Sequence, residues 1–230
     1  MMKDKKNIII CLLVLVVLIL GGIIIANKLA NKNDDSTNSN AYSEKKEYNV
    51  GDEINFNNEK WHVISKSLIS DDYVVVIKDE GLSELKSKAY YECPKEDDNG
   101  LNCNMKMSND YKKSAIKSYF DNTYVNLLGK NNLKEVNGYY VRLITVDELV
   151  ALGCNLDSES CLNAPSWLTS NFVSWTMSHT TTEPTDDASL AFVYSFGFNS
   201  YTGDNGIYKY GVGSTLNVRP VINLLKSSIK

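Results

Sequence analysis

The sequence predicts an α+β fold: a loop-rich head of two main helices and short antiparallel strands, preceded by one transmembrane helix. Three observations carry this expectation. Residues 8–26 hold nothing but Ile, Leu, Val, Gly, Cys and one Ala. Beyond them, short runs rich in Val, Ile, Tyr and Trp recur, as strands require, and two stretches show helical spacing or a helix-start signature.

The apolar run comes first. At about 1.5 Å per helical residue, residues 8–26 reach roughly 28 Å, enough to cross the hydrocarbon core of a bilayer. A cleaved signal peptide has a shorter apolar region and a small-x-small exit, whereas the exit here reads IIIANKLANK. An uncleaved anchor is therefore expected, with membrane lipid as its partner. Cys11 sits near the start of the run rather than after it, which removes the lipoprotein reading. Lys3, Lys5 and Lys6 precede the span, while Lys28 and Lys32 are offset by Asp34 and Asp35 beyond it. By the positive-inside rule, residues 1–7 are cytoplasmic and the C-terminal domain is extracellular, at the cell membrane.

Residues 27–47 are polar, small and charged without apolar periodicity, and read as a linker. With five lysines and one aspartate in residues 1–32, the remainder carries 19 basic and 27 acidic residues, a net charge of -8. Nucleic acid, which needs a basic footprint, is not an expected partner.

The head is expected over residues 48–225, with a tail at 226–230. EINF (53–56) and KWHVISK (60–66) read as strands joined by Asn57, Asn58 and Glu59, a hairpin signal. YVVVIK (73–78), YYVRLI (139–144), LAFVYSF (190–196) and NVRPVINL (217–224) read as further strands. One helix is expected from about Ser108 or Asn109, through Ile116, Phe120, Tyr124 and Leu127 or Leu128, to Gly129. A second opens at TVDELVAL, where Thr145 and Glu148 form a capping box. From about Asn155 to Asp187 the chain reads as loop, SWTMSHTTT included.

Cys93, Cys103, Cys154 and Cys161 are an even set in a compartment where disulfides persist. Their spacings suggest the pairs 93 with 103 and 154 with 161, one of three connectivities. The gaps are too long for a zinc site, whose paired ligands are usually two residues apart.

The order of these pieces carries a resemblance. Trp61 to Ile64 (W-x-V-I), Tyr111 to Ile116 (Y-x-x-S-x-I), Val141 to Leu149 (V-R-L-I-T-x-x-E-L), Ser174 to Ser178 (S-W-T-M-S) and Val218 to Leu224 (V-R-P-V-I-N-L) resemble, in that order, a family of uncharacterised bacterial extracytoplasmic domains. Those domains look related to the formylglycine-generating-enzyme and C-type-lectin-like fold. The resemblance spans residues 48–225 and implies a C-type-lectin-like, loop-rich head whose chain ends lie close together. It carries no activity across. The reactive cysteine pair of the formylglycine-generating enzymes has no counterpart here. Of the calcium-dependent sugar site, Glu183-Pro184-Thr185 is a faint echo, and the Trp-Asn-Asp strand is missing.

Enzyme motifs are equally scarce. A sortase would need a reactive cysteine beside His and Arg, and the exterior cysteines read as bridges. Of the two histidines, His62 sits in a strand after Trp61, a structural position; His179 is loop-borne near Asp186 and Asp187, yet no G-x-S-x-G elbow exists. EF-hand spacing fails at Gly100 and Gly206, and no phosphate loop, dinucleotide fingerprint or H-E-x-x-H is present. No cofactor or metal is expected from these motifs, and an irregular calcium site among Asp97, Asp98 and Asn99 or at Asp186 and Asp187 stays open. What remains is aromatic: Trp167, Trp175, Phe196, Phe198, Tyr201, Tyr208 and Tyr210 fall in the C-terminal half, several beside Ser, Asn, Thr and Gly. Tyr and Trp with small polar neighbours suit a surface for sugar or protein; the alternative reading is that most of these rings pack the core and hairpins. Trp167, Trp175, His179, Tyr201 and Tyr208 are the expected binding residues of a non-catalytic domain. The competing reading is an enzyme with a loop-built site near His179 and Trp175, or a structural subunit of an envelope complex.

Lysine outnumbers arginine 22 to two. Arg142 and Arg219 each stand in an apolar run. Strand alternation places Val218, Pro220, Ile222 and Leu224 on one face and Asn217, Arg219, Val221 and Asn223 on the other, so each arginine is expected away from the more apolar side. A planar guanidinium can serve several acceptors at once, which suits a pin bracing loops onto the sheet.

Overall fold

Asn57 and Asn58 turn the first hairpin with φ of 54° and 60°, the left-handed pair that a two-residue type I′ turn demands. They join β1 (Glu53–Phe56) to β2 (Glu59–Lys66), which pairs in turn with β3 (Tyr73–Lys78). The computed structural model describes residues 46–85, 90, 109–169, 172–180 and 192–230. The apolar span 8–26, nearly all of the linker, and Cys93 and Cys103 lie outside these residues. Among the described residues, no helix is long and apolar enough to cross a membrane.

The fold is α+β, and its named strands pair antiparallel in two sheets. The larger sheet has the order β1, β2, β3, β8 (Val221–Leu225), β4 (Val141–Arg142). The smaller has the order β5 (Ser174–His179), β6 (Phe192–Asn199), β7 (Asp204–Gly211). β3 explains why YVVVIK is apolar throughout. Val74 and Val76 face a core with Trp61, Phe120 and Leu224; Val75 and Ile77 face a second core with Ile64, Leu149 and Phe196. A strand buried on both faces leaves no polar alternation to read. β1, at the edge, buries only Ile54 and Phe56.

The long helix is segmented. Asp110 accepts from Lys112 N and caps a 3₁₀ turn (Tyr111–Lys113), and Ser114 then accepts from Lys117 N to start α1 (Ala115–Tyr119) afresh. The α-helix therefore starts six or seven residues later than 109 or 108, because two capping side chains compete and the extended backbone of Ser114 separates them. A π-helical stretch (Phe120–Tyr124) leads into α2 (Val125–Leu128), closed by Gly129 at φ 75°. α3 (Val146–Ala151) has both capping-box bonds, Thr145 Oγ1 accepting from Glu148 N and Glu148 from Thr145 N.

Three expected strands move. YYVRLI keeps only Val141–Arg142, LAFVYSF, described from Phe192, runs on to Asn199, and NVRPVINL becomes Val221–Leu225. One strand replaces expected loop, and another, β7, falls where the sequence reading places no element. SWTMSH is β5, and its polar residues are bonded rather than solvated: Thr176 Oγ1 donates to Tyr194 O at 2.7 Å, and Ser178 Oγ accepts from Val146 N at 3.0 Å. In β7, Gly206 lets Glu159 O approach to 2.7 Å of where a Cβ would stand. The outer edge of β5 continues toward the larger sheet, Trp175 N donating to Asn217 O at 3.0 Å and Met177 N to Ile144 O at 2.9 Å. Cys154 and Cys161 form the expected disulfide. The tail is a 3₁₀ turn (Lys226–Ser228), followed by Ile229, packed on the first core.

Candidate binding groove

Residues 217–220 thread between the two sheets. Lys78 N donates to Pro220 O and Leu82 N to Val218 O, both at 2.9 Å, while Asn217 N donates to Val173 O at 3.0 Å on the other side. Arg219 sits at this seam, fully buried. Its Nε donates to Lys78 O at 2.9 Å, Nη1 to Leu168 O at 2.7 Å and Nη2 to Trp167 O at 3.2 Å. Lys78 ends β3; Trp167 and Leu168 belong to α4 (Ser166–Thr169). Burial pulls the guanidinium down to about 10, with Asp79 opposing, so it keeps its charge at neutral pH. The expectation of an outward-facing side chain is corrected: the strand begins two residues later, and 217–220 follow the seam rather than a pleat.

Above the seam opens a groove of about 860 Å³. Its apolar wall is Phe172, Phe198, Tyr201, Tyr210 and Leu216. Between these rings stand Glu80, Asn199, Ser200, Ser214, Thr215 and Asn217. Phe172 is 71% exposed and Tyr201 96%, where a packed aromatic side chain would be covered. Asn217 is fixed, its Nδ2 donating to Phe172 O at 3.4 Å. Its Oδ1 stands 3.0 Å from where a Cβ on Gly81 would be. Tyr201 rides on the β6–β7 turn, where Asn199 Oδ1 accepts from Tyr201 N at 3.0 Å and Gly203 adopts φ 75°. Tyr208 OH donates to Asp204 Oδ1 at 2.8 Å, and Thr202 donates to the same oxygen. Those two bonds, Thr202's foremost, hold the Asp204 carboxyl below its usual range. Burial and that carboxylate push the Tyr208 hydroxyl up to about 12.

The groove gathers one of the five expected binding residues, Tyr201. Tyr208 braces the turn beneath it. Trp167 is half-buried and stacks on His62, with ring centroids 4.4 Å apart and planes 8° from parallel. Trp175 is fully buried, edge-on to Tyr90 at 5.2 Å, so it belongs to the core rather than to a surface. His179 is exposed at the far end of β5, outside the groove. Phe172 and Glu80 carry no signal in the sequence, since each adjoins a strand and nothing local marks it as exposed and convergent. Trp61 is buried and donates from Nε1 to Phe56 O at 3.2 Å. Arg142 forms a two-pronged pair with Glu148, Nη1 to Oε2 at 2.7 Å. Burial alone would raise the Glu148 carboxyl; Arg142 and Thr145 hold it below its usual range. Among the described residues, no group of three His, Cys, Asp or Glu side chains is placed to hold a metal ion.

No family model, no curated protein and no solved structure matches the chain.

Proposed function

We propose that this chain is a single-pass membrane protein, N-terminus inside, whose extracellular C-type-lectin-like head binds a neutral glycan in the groove and does not transform it. One observation carries the reading: exposed rings of Phe172, Phe198 and Tyr201 facing neutral amides and hydroxyls, with Glu80 as the one charged side chain of the lining among the described residues. Aromatic faces cover the apolar C–H faces of a sugar, and Asn, Ser and Thr match its hydroxyls. A protein ligand is the second reading, favoured by the same aromatic content. Of the pair named in the enzyme reading, Trp175 is buried in the core and His179 is exposed at the end of β5, outside the groove. The test is a glycan array probed with the full chain in detergent, beside Tyr201→Ala. Retention on neutral glycans, lost in Y201A, supports the proposal; covalent turnover of a glycan, peptide or thiol substrate overturns it.

A further inference from the structure

The described chain begins at Lys46 and enters the larger sheet at one end. Gly51 N donates to Val63 O at 2.8 Å and Val63 N to Asp52 O at 2.9 Å, which sets residues 49–52 beside the C-terminal half of β2. β2 runs on to Lys66 and turns through 67–72 into β3. β8 finishes at the same end, where Leu225 pairs with Tyr73 and Lys226 N donates to Asp72 O at 2.8 Å.

Three large apolar side chains stand in solvent on this end: Leu68 at 102% exposure, Val50 at 56% and Ile69 at 46%. The turn that carries two of them is held in place, Ser67 Oγ accepting from Ile69 N at 3.3 Å and Ser70 Oγ from Asp72 N at 3.1 Å. The groove lies at the opposite end, since Glu80 and Gly81 follow the exit of β3 and Asn217 precedes the start of β8.

We propose that Leu68, Ile69 and Val50 seat this end of the head in the lipid surface of the membrane the chain is anchored in, so that the groove faces away from the bilayer. The proposal rests on the reading of residues 8–26 as an anchor. What selects lipid over another occupant is the chain outside the structure. It ends at this same end of the sheet, and residues 27–45, the only stretch between the apolar run and the head, reach at most about 65 Å when fully extended. Lys46, Lys66 and Lys226 stand against Glu47, Asp52, Asp71 and Asp72 at this end. Attraction to anionic headgroups is therefore not the driving term; apolar insertion is, with Leu68 and Ile69 entering the boundary between headgroups and acyl chains.

The experiment uses the full chain in phosphatidylcholine vesicles, with and without bromine on the acyl chains. Leu68→Trp adds a fluorophore at the turn, and Tyr201→Trp adds one at the groove end as reference. The expected result is flotation of the chain with the vesicles, loss of most of the added L68W emission in brominated lipid, no loss for Y201W, and recovery of the L68W emission when Ile69→Asp is added. Flotation with L68W unquenched, or quenched no more than Y201W, overturns the seating and leaves the anchor standing. Unquenched but blue-shifted L68W emission overturns it in favour of a protein contact, a second copy included. Failure to float overturns the anchor reading and the seating together.

Discussion

Arg219 shows what one residue can decide. Its three donors serve three carbonyls on two elements from a position with no exposure. A lysine ammonium on a flexible stem cannot reach all three in one plane, and each carbonyl left bare in the interior costs about 1–3 kcal/mol. Arg219→Lys is expected to destabilise the head by about 3 kcal/mol, roughly 6–12 °C in Tm for a domain of this size, measurable by thermal unfolding followed by circular dichroism. Unchanged Tm with lost ligand binding would make it a ligand contact instead. The importance of this residue was legible in a chain with two arginines among 24 basic residues. Its direction was not, because residues 217–220 are not strand and strand alternation does not govern them. The same limit separates Tyr201, legible as an aromatic among small polar neighbours, from Phe172, whose exposure depends on elements distant in sequence.

At the scale of elements, signals confined to a few residues survive folding intact. The Asn57–Asn58 turn and the Thr145–Glu148 box form as the sequence predicts, since both ends of each interaction lie within four residues. β5 and β7 were illegible for the converse reason: Thr176, Ser178 and Gly206 look like loop residues until β6, α3 and Glu159 supply their partners. Gly206→Ala is expected to lower stability by about 1–3 kcal/mol, because the new methyl meets a backbone carbonyl rather than a movable side chain; the denaturant midpoint reports it. The α3 box also sets an acid limit. Glu148 titrates below its ordinary range in the folded head, so its contribution is complete above the unfolded glutamate value of about 4.3 and is lost as pH falls through the lower folded value. Glu148→Gln removes that contribution at every pH. The Tm difference between native chain and E148Q is therefore expected to be largest near neutrality and to close in acid. A difference that persists unchanged at low pH would show that packing, not the Arg142 ion pair, is what E148Q loses.

Over the whole molecule, the entry of the chain and the groove occupy opposite ends of one five-stranded sheet. That separation lets stability and recognition change independently, because the cores hold Trp61, Trp175 and Arg219 while the groove exposes Phe172 and Tyr201. Phe172→Ala and Tyr201→Ala are each expected to weaken binding of the proposed neutral glycan by about tenfold, equivalent to about 1.4 kcal/mol. Tm should hold, since truncating an exposed ring moves stability by no more than about 0.5 kcal/mol. A groove whose lining, among the described residues, has Glu80 as its one charge also makes a statement about salt. Interactions of aromatic faces, amides and hydroxyls are not screened as ion pairs are, so affinity should be nearly flat between low and physiological ionic strength. Titration of the full chain with an array-selected glycan at two salt concentrations checks both expectations. Affinity that falls steeply with salt would move the binding site from this groove to a charged surface, and a Tm that falls with either truncation would return that ring to the core.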